Sequence, residues 1–510
     1  MKLITALVAM VTWLTGASAL VLAQPTARAS GSAGNVGPIS QRTPAPALPL
    51  APQGPVAGGD AESRSVGPVL TLEEVLNSVA QRYPLLKAVF TEQDVADADL
   101  LNAEGQFDVT WKTKVAAVPI GYYQQVRADS AIEKPTDVWG SSFFAGYKLG
   151  TGDFASYDGR LQTLGFGEAR AGGNLPLWRN RSIDRRRASR SRAVLGVELA
   201  SLTVAQQRIE LRRTATVRYW AWVAAGRRLG FAERLLKIAV DRDAGLEGHV
   251  SAGNAADIDR TDNERAIAQR TSQVASSRRA LEQAAIELSM LLRDQAGVPL
   301  VPTAAQLPGL TAEGQPALPS AANDDIAVAV RQRPEARRLN VQAMQQRIER
   351  QWADNQRAPG LDLQVMVAKD FGPAIDGRPD LSKPVVEAMV LLEIPLQTRF
   401  MQGRADQARA MQTRMELQAA FATDRIKADV ADAHSALRAA VDRIAAATRE
   451  VKAALALEDG ERSRFDLGYS TLLIVNIREQ QTAEAQLREI DALFDYRRAL
   501  ADLSAARGEL

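Results

Sequence analysis

Few side chains in this 510-residue chain are equipped for covalent or metal chemistry. There is no cysteine, and the two histidines, His249 and His434, stand 185 residues apart. That excludes disulfides, a thiol nucleophile, a thiolate zinc site and a lipidated cysteine. It also leaves no His-rich metal site within one chain. In GFGEARAGG, Gly165 and Gly167 are spaced as in a dinucleotide-binding loop, but their neighbours alternate like a strand and no helix start follows. No Ser/His/Asp set, phosphate loop or paired carboxylates stand out. The sequence therefore predicts no enzyme, no catalytic residue, no cofactor and no metal site. RSIDRRRASRSR, from Arg181, is a basic run that nucleic acid would attract. The net charge of +2 gives no general pull toward nucleic acid, so none is expected as a partner. Lipid head groups or neighbouring acids are the expected partners of these arginines.

With no chemistry to position, the elements themselves carry the information. Hydrophobic residues make up 46% and aromatics only 5%, and Ala, Arg, Gln and Leu dominate, which favours long helices. MKLITALVAMVTWLTGASALVLAQ has a basic Lys2, an apolar run from Leu3 to Leu14 and two small-residue cleavage sites, at Ala17-Ser18-Ala19 and Val21-Leu22-Ala23. Residues 1–23 are expected to be a secretory signal peptide. Residues 24–68, rich in Pro, Ala and Gly, read as a disordered lead-in. No later window holds about 18 uninterrupted apolar residues, so no transmembrane helix is expected. An exported chain of this kind is either soluble outside the inner membrane or crosses a membrane as a β-barrel.

The remainder is written twice. Leu175-Pro176-Leu177 and Ile394-Pro395-Leu396 each follow an alternating segment and precede a long helical stretch. Pro176 to the turn at Ala252-Gly253 is 77 residues, and Pro395 to the turn at Leu467-Gly468 is 73. Glu264 and Glu479 each lie 11 residues past their turn glycine. Both openings carry Arg-x-Pro or Arg-Pro, at Arg82-Tyr83-Pro84 and Arg333-Pro334. The expectation is two structural repeats, 69–296 and 323–510, each ordered helix, strand, strand, long helix, helix, with a linker at 297–322. Helices ending near Gly297 and Gly508 close the repeats.

Four strands are expected per chain. From Phe107, FDVTWKTKV sets Phe107, Val109, Trp111 and Val115 against Asp108, Thr110, Lys112 and Lys114. Leu361, Leu363, Val365 and Val367 alternate with Asp362, Gln364, Met366 and Ala368. Val390, Leu392 and Ile394 oppose Glu387 and Glu393, and Ala169, Ala171 and Leu175 oppose Glu168, Arg170 and Asn174. Alternation alone fits a soluble half-buried sheet. Joined to an export signal, a duplication and long helices, it points to membrane strands with an apolar lipid face and a polar lumen face. Val109, Trp111, Leu363, Val365, Val390 and Leu392 are then lipid-facing, and Glu168, Arg170, Glu387 and Glu393 line the lumen. Four strands cannot close a barrel, and open edges cannot exist in hydrocarbon, so several chains must share one cylinder. The stretch 116–164 is an insertion in which SSFFAGYKLGTG is able to form an extra hairpin.

A second long helix is expected from Gly403 to Glu458, some 80 Å at 1.5 Å per residue. Val430, Leu437, Ile444 and Val451 repeat every seven residues beside Ile426, Ala433, Ala440, Ala447 and Ala454, a coiled-coil seam. Ile267, Val274, Leu281 and Leu288 form another such line. A periplasmic coiled-coil scaffold without channel activity would explain the helices and leave the strands unexplained.

With its export signal, duplicated order, NLPLW and EIPLQ junctions and the turns SAGNAADIDRTDNERA and LGYSTLLIVNIREQQ, the chain resembles the TolC family of outer-membrane efflux proteins over residues 70–508. The resemblance implies a mainly α fold with a small β part: a long coiled-coil α-barrel below a trimeric 12-stranded transmembrane β-barrel. It implies the outer-membrane channel of a tripartite efflux or type I secretion system in a Gram-negative bacterium. That channel would be a homotrimer reaching into the periplasm, a passive duct working with a periplasmic adaptor, an inner-membrane pump and outer-membrane lipid. The resemblance places adaptor contact at Gly253, Gly468, Tyr469 and Ser470. A turn glycine needing positive φ is an equally good reading of both glycines. It places a periplasmic aperture near Asp257, Asp259 and Asp262, with Arg260 and Arg478 as candidate partners. Repeated around three chains, such acids would form a ring that attracts cations. An acidic first helical turn, stabilised by the macrodipole, is the alternative. The family's aspartate positions in the second repeat hold Ile474 and Ile477, with Asn476 between.

Overall fold

The computed structural model describes residues 69–155, 161–251, 256–308, 321–373 and 383–509. The expected signal peptide, the lead-in and the turn at Ala252, Gly253, Asn254 and Ala255 lie outside the described residues.

The first half opens with helices α1 (Leu72–Arg82) and α2 (Pro84–Glu104). Thr71 starts α1 with a capping box: its hydroxyl accepts from the Glu74 amide at 3.3 Å, and the Glu74 carboxylate accepts from the Thr71 amide at 2.8 Å. Tyr83 is held extended by the following proline, so α1 stops, and Pro84 begins α2 where its missing N–H costs nothing. Arg333 and Pro334 repeat this break between α5 (Ala322–Gln332) and α6 (Pro334–Asn355). Each half therefore enters through two helices, where the sequence order allowed for one.

Two very long helices follow the strands: α3 (Arg185–Ser251), with 67 residues, and α7 (Arg399–Asp466), with 68. Each extends about 100 Å, longer than the expected Gly403–Glu458. Their partners are α4 (Asp257–Ser289) and α8 (Leu472–Arg507). The heptad seam is buried as expected at Ile426, Val430, Ala433, Leu437, Ala440, Ile444, Ala447 and Val451. One core gathers Val75, Val79, Tyr219, Trp222, Leu281 and Leu288 from α1, α3 and α4; another gathers Ala329, Ile426, Val430, Leu437 and Leu503 from α5, α7 and α8. Among the described residues, no helix is long and apolar enough to cross a membrane.

The end of the first half also differs from expectation. α4 stops at Ser289, and Gly297, at φ 84°, instead turns a tight bend stapled by the Arg293–Pro299 bridge. Residues just beyond are packed down: the Leu70 amide donates to the Gln306 carbonyl at 3.0 Å, and Leu307 sits where a Gly226 side chain would stand. Gly508 caps α8 in the left-handed region, with Gly508 and Glu509 amides returning to Ala505 and Ser504.

Among the described residues the sheet has six strands, where four were expected: β1 (Thr110–Val118), β2 (Gln125–Pro135), β3 (Ser142–Gly152), β4 (Gly167–Pro176), β5 (Gly360–Phe371) and β6 (Val385–Glu393). They lie in sequence order, every neighbouring pair antiparallel. β2 and β3 form a hairpin within the 116–164 insertion. Val126, Ala128, Ser130 and Ile132 alternate with Arg127, Asp129 and Glu133, but small Ala and Ser dilute the apolar signal. A 3-10 turn at Gly105–Phe107 ends α2, so Phe107 precedes β1; Val109, directly before Thr110, is exposed.

Candidate functional site

Register assigns every strand residue to one of two faces. Pairings Lys112↔Ala131, Ala131↔Gly146, Gly146↔Arg170 and Arg170↔Ala368 run straight across the sheet, and so does Met366↔Glu387 one pair along. This face carries Lys112, Asp129, Glu133, Lys148, Glu168, Arg170, Gln364, Glu387 and Glu393, and a groove on it is lined by Lys112, Glu133, Phe144, Arg170 and Glu387. The charges are cross-linked: Lys112–Glu133 at 2.7 Å, Arg170–Asp129 at 2.6 Å and Lys148–Glu168 at 3.6 Å. Arg170 reaches Asp129 across β3, where it pairs with Gly146, whose added Cβ would crowd Ala131 and the Ser130 carbonyl of β2. Glu393 ends β6 and meets Arg179 at 2.6 Å, tying that strand to the first Pro-Leu junction.

The opposite face carries apolar side chains on all six strands, through Trp111, Ile132, Phe143, Tyr147, Leu175, Val365 and Val390, with Lys134 and Lys369 toward strand ends. Trp111 and Val390 are 66% and 62% exposed. A contiguous apolar face of this kind needs a cover.

At the far end of the helices, α7 stops in a Schellman turn. The Tyr469 amide donates to Arg464 and the Gly468 amide to Phe465, with Gly468 at φ 77°. No atom lies within 4 Å of the place a Gly468 side chain would take, so backbone conformation alone calls for glycine. Tyr469 is exposed, and the Ser470 hydroxyl donates to Glu461. Gly468→Ala should cost about 1–2 kcal/mol of left-handed strain. Hydrogen exchange at residues 464–472 should quicken while exchange in the Leu437 seam stays unchanged.

Close to this turn is a cluster that sequence reading missed. Glu479 of α8 is fully buried and takes three arginines: Arg242 of α3, Arg270 of α4 at 2.8 Å and Arg462 of α7 at 2.9 Å. Asn476, one turn earlier, accepts from Arg242 at 2.7 Å and donates to Asp262 of α4 at 2.9 Å. Burial pushes the Glu479 carboxyl up, but the hydrogen bonds and charges of Arg270, Arg242 and Arg462 outweigh it and hold the group below the ordinary carboxylate range. All four long helices of the two halves meet here.

The arrangement matches solved structures. The outer membrane protein VceC from Vibrio cholerae superposes with a TM-score of 0.62 at 14% identity, over 86% of this chain and 96% of that one. The open state of the Neisseria gonorrhoeae MtrE outer membrane channel gives 0.61 at 16% identity, over 86% and 89%. The Campylobacter jejuni CmeC outer membrane channel gives 0.60 at 12% identity, over 91% and 94%. The chain has the fold of the TolC-family outer-membrane channels. No protein-family profile matches the sequence, and no curated protein matches it.

Within this TolC-type fold the expected residues fall as follows. Trp111, Leu363, Val365, Val390 and Leu392 share the apolar face, and Glu168, Arg170, Glu387 and Glu393 share the polar one. Gly468, Tyr469 and Ser470 form the α7–α8 turn; Gly253 lies outside the described residues. Asp257 and Asp259 open α4 at its first turn. Asp262 pairs with Arg265 at 3.0 Å, whereas Arg260 lies 4.0 Å from Glu247 and 3.6 Å from Glu264, and Arg478 donates to Gln481. Within one chain, then, neither expected arginine partners an aspartate of this group. Glu264 is exposed on α4, while Glu479, at the same offset from its turn, is the buried hub.

Proposed function

We propose that this chain is the outer-membrane channel of a tripartite efflux or type I secretion system, a passive export duct from periplasm to exterior. One observation carries the reading: a six-stranded sheet carries apolar side chains across the width of one face, and its edge strands β1 and β6 have no further strand partner among the described residues. Lipid satisfies the face, and only neighbouring copies satisfy edges placed in hydrocarbon. The halves act as two copies of one unit in a homotrimer. The polar face lines the lumen, and the paired long helices reach into the periplasm of a Gram-negative cell. A periplasmic adaptor meets the turns at Gly253 and Gly468–Ser470, and an inner-membrane pump supplies the driving force. Anchoring comes from the sheet, with no cysteine for a lipid. A coiled-coil scaffold in the periplasm has no use for the apolar sheet face.

Asp257, Asp259, Asp262 and Arg260 sit at the helix starts beside the turns, where three copies would bring the acids into a ring at the aperture. Detergent-extracted protein in a planar bilayer tests this. It should insert as discrete conducting units, and Asp259→Ala with Asp262→Ala should raise unitary conductance. An unchanged current would remove the acid ring from the mechanism; fully inserted trimers that never conduct, in either form, would count against the channel itself.

A further inference from the structure

The β2–β3 hairpin sets this chain apart from a sheet with two strands per half. Each hairpin strand has 11 residues, and β1, β4, β5 and β6 have 9 to 12. A tilted membrane strand needs about 9–11. The hairpin is bonded into the sheet on both sides: β1 pairs with β2 from Thr110↔Glu133 to Val118↔Gln125, and β3 with β4 from Ser142↔Asn174 to Lys148↔Glu168. On the polar face, Lys112–Glu133 and Lys148–Glu168 tie it to each flanking strand, and Arg170–Asp129 reaches over β3. On the apolar face, Ile132, Phe143 and Tyr147 continue the exposed surface begun by Trp111. Its inner turn is docked on the start of α3, where Arg190 meets Asp137 at 2.6 Å and the Arg181 guanidinium lies 5.3 Å from the Trp139 ring. Trp139 and Gly140 both have positive φ, the backbone of a tight hairpin turn.

We propose that this hairpin spans the membrane and widens the pore, so that three chains close an 18-stranded cylinder. The proposal rests on the channel reading above. β1 and β6 run in opposite directions, so a neighbour's β1 adds antiparallel to β6 and the even count closes. At each seam Glu387 and Glu393 of β6 come beside Lys112 and Lys114 of the next β1. Strands about 4.8 Å apart and tilted about 40° give a backbone diameter of about 2 Å per strand. Eighteen strands enclose about 36 Å, against about 24 Å for twelve. Arg127, Asp129, Glu133 and Lys148 of the hairpin add their charges to the wall. The outer end of the duct is then too wide to act as its size filter, and selection falls to the helical tip.

Cryo-electron microscopy of the detergent-extracted full chain tests this, beside a variant in which a short Gly-Ser turn replaces residues 121–165. The full chain should show an 18-stranded barrel about 1.5 times as wide as that of the variant. If the variant fails to assemble, the full chain's strand count alone decides. A trimer whose barrel has twelve strands, with the hairpin lying outside it, would overturn the widening and leave the channel reading intact. A water-soluble monomer would sink the channel reading itself.

Discussion

Glu479→Ala loosens the turn end of the helices by about 3 kcal/mol. Breaking a buried charge cluster by removing one member costs about 3–5 kcal/mol, because the remaining charges stay buried without their partner. The lower end applies here, since each arginine keeps one other acceptor. Arg242 retains Asn476 at 2.7 Å, Arg270 the Leu235 carbonyl at 2.8 Å and Arg462 the Glu458 carboxylate at 2.7 Å. Three kcal/mol corresponds to amide exchange about a hundredfold faster around residues 240–270 and 460–480. The Trp222 core should be untouched. Glu479→Gln, which keeps shape and one acceptor, should give a smaller increase. Equal rates in wild type and alanine variant would show that the cluster holds nothing together. If the turns open on docking, the same variant should conduct more often.

The pH dependence of this cluster follows from its sign. Glu479 titrates lower in the folded chain than its ordinary range, so its contribution is fully present above the unfolded carboxylate value of about 4.3. The contribution fades as pH falls through the depressed folded value. Protection at residues 460–480 should therefore match between pH 7 and pH 5 and decline only in stronger acid. Loss between pH 7 and pH 6 would place the controlling group elsewhere.

Val365→Arg and Val390→Arg should each cost about 2–4 kcal/mol of insertion free energy, the cost of an arginine facing mid-bilayer lipid. Val365 lies mid-strand opposite Gly173 and Ala388, and Val390 lies opposite Leu363, both on the apolar face. Met366 is one residue away on the polar face, opposite Gly172 and Glu387. Met366→Arg should assemble normally, with an altered preference among ions. Trimer yield in the outer-membrane fraction measures all three. If Val365→Arg and Met366→Arg behave alike, the two faces do not see different solvents.

Parity made those faces legible from sequence. Once Leu363 and Val365 were set against Gln364 and Met366, the two faces of β5 followed, while the pairing between strands came from the structure. Phe107 was misread as a strand residue because alternation continued backward into a 3-10 turn that sequence does not mark. SSFFAGYKLGTG hinted at β3, but β2 escaped because Ala128 and Ser130 are too small to announce a lipid face. The buried hub was illegible for another reason. Glu264 and Glu479 occupy equal offsets, but only packing of α8 against three other helices brings arginines from three distant segments to one of them. Within one chain Arg260 likewise meets Glu247 of α3 and Glu264 of its own helix rather than an aspartate of α4, contacts that depend on how α3 and α4 pack.

The central claim is that the sheet is completed only by other copies of the chain. The chain has no cysteine, so introduced pairs report cleanly. Lys112→Cys or Lys114→Cys on β1 should be combined in turn with Glu387→Cys or Met389→Cys on β6 and oxidised in intact outer membranes. At least one pair should give covalent species of two and three chains and nothing larger. A chain recovered as a water-soluble monomer, with no pair forming a link between chains, would contradict the closed barrel and the export duct built on it.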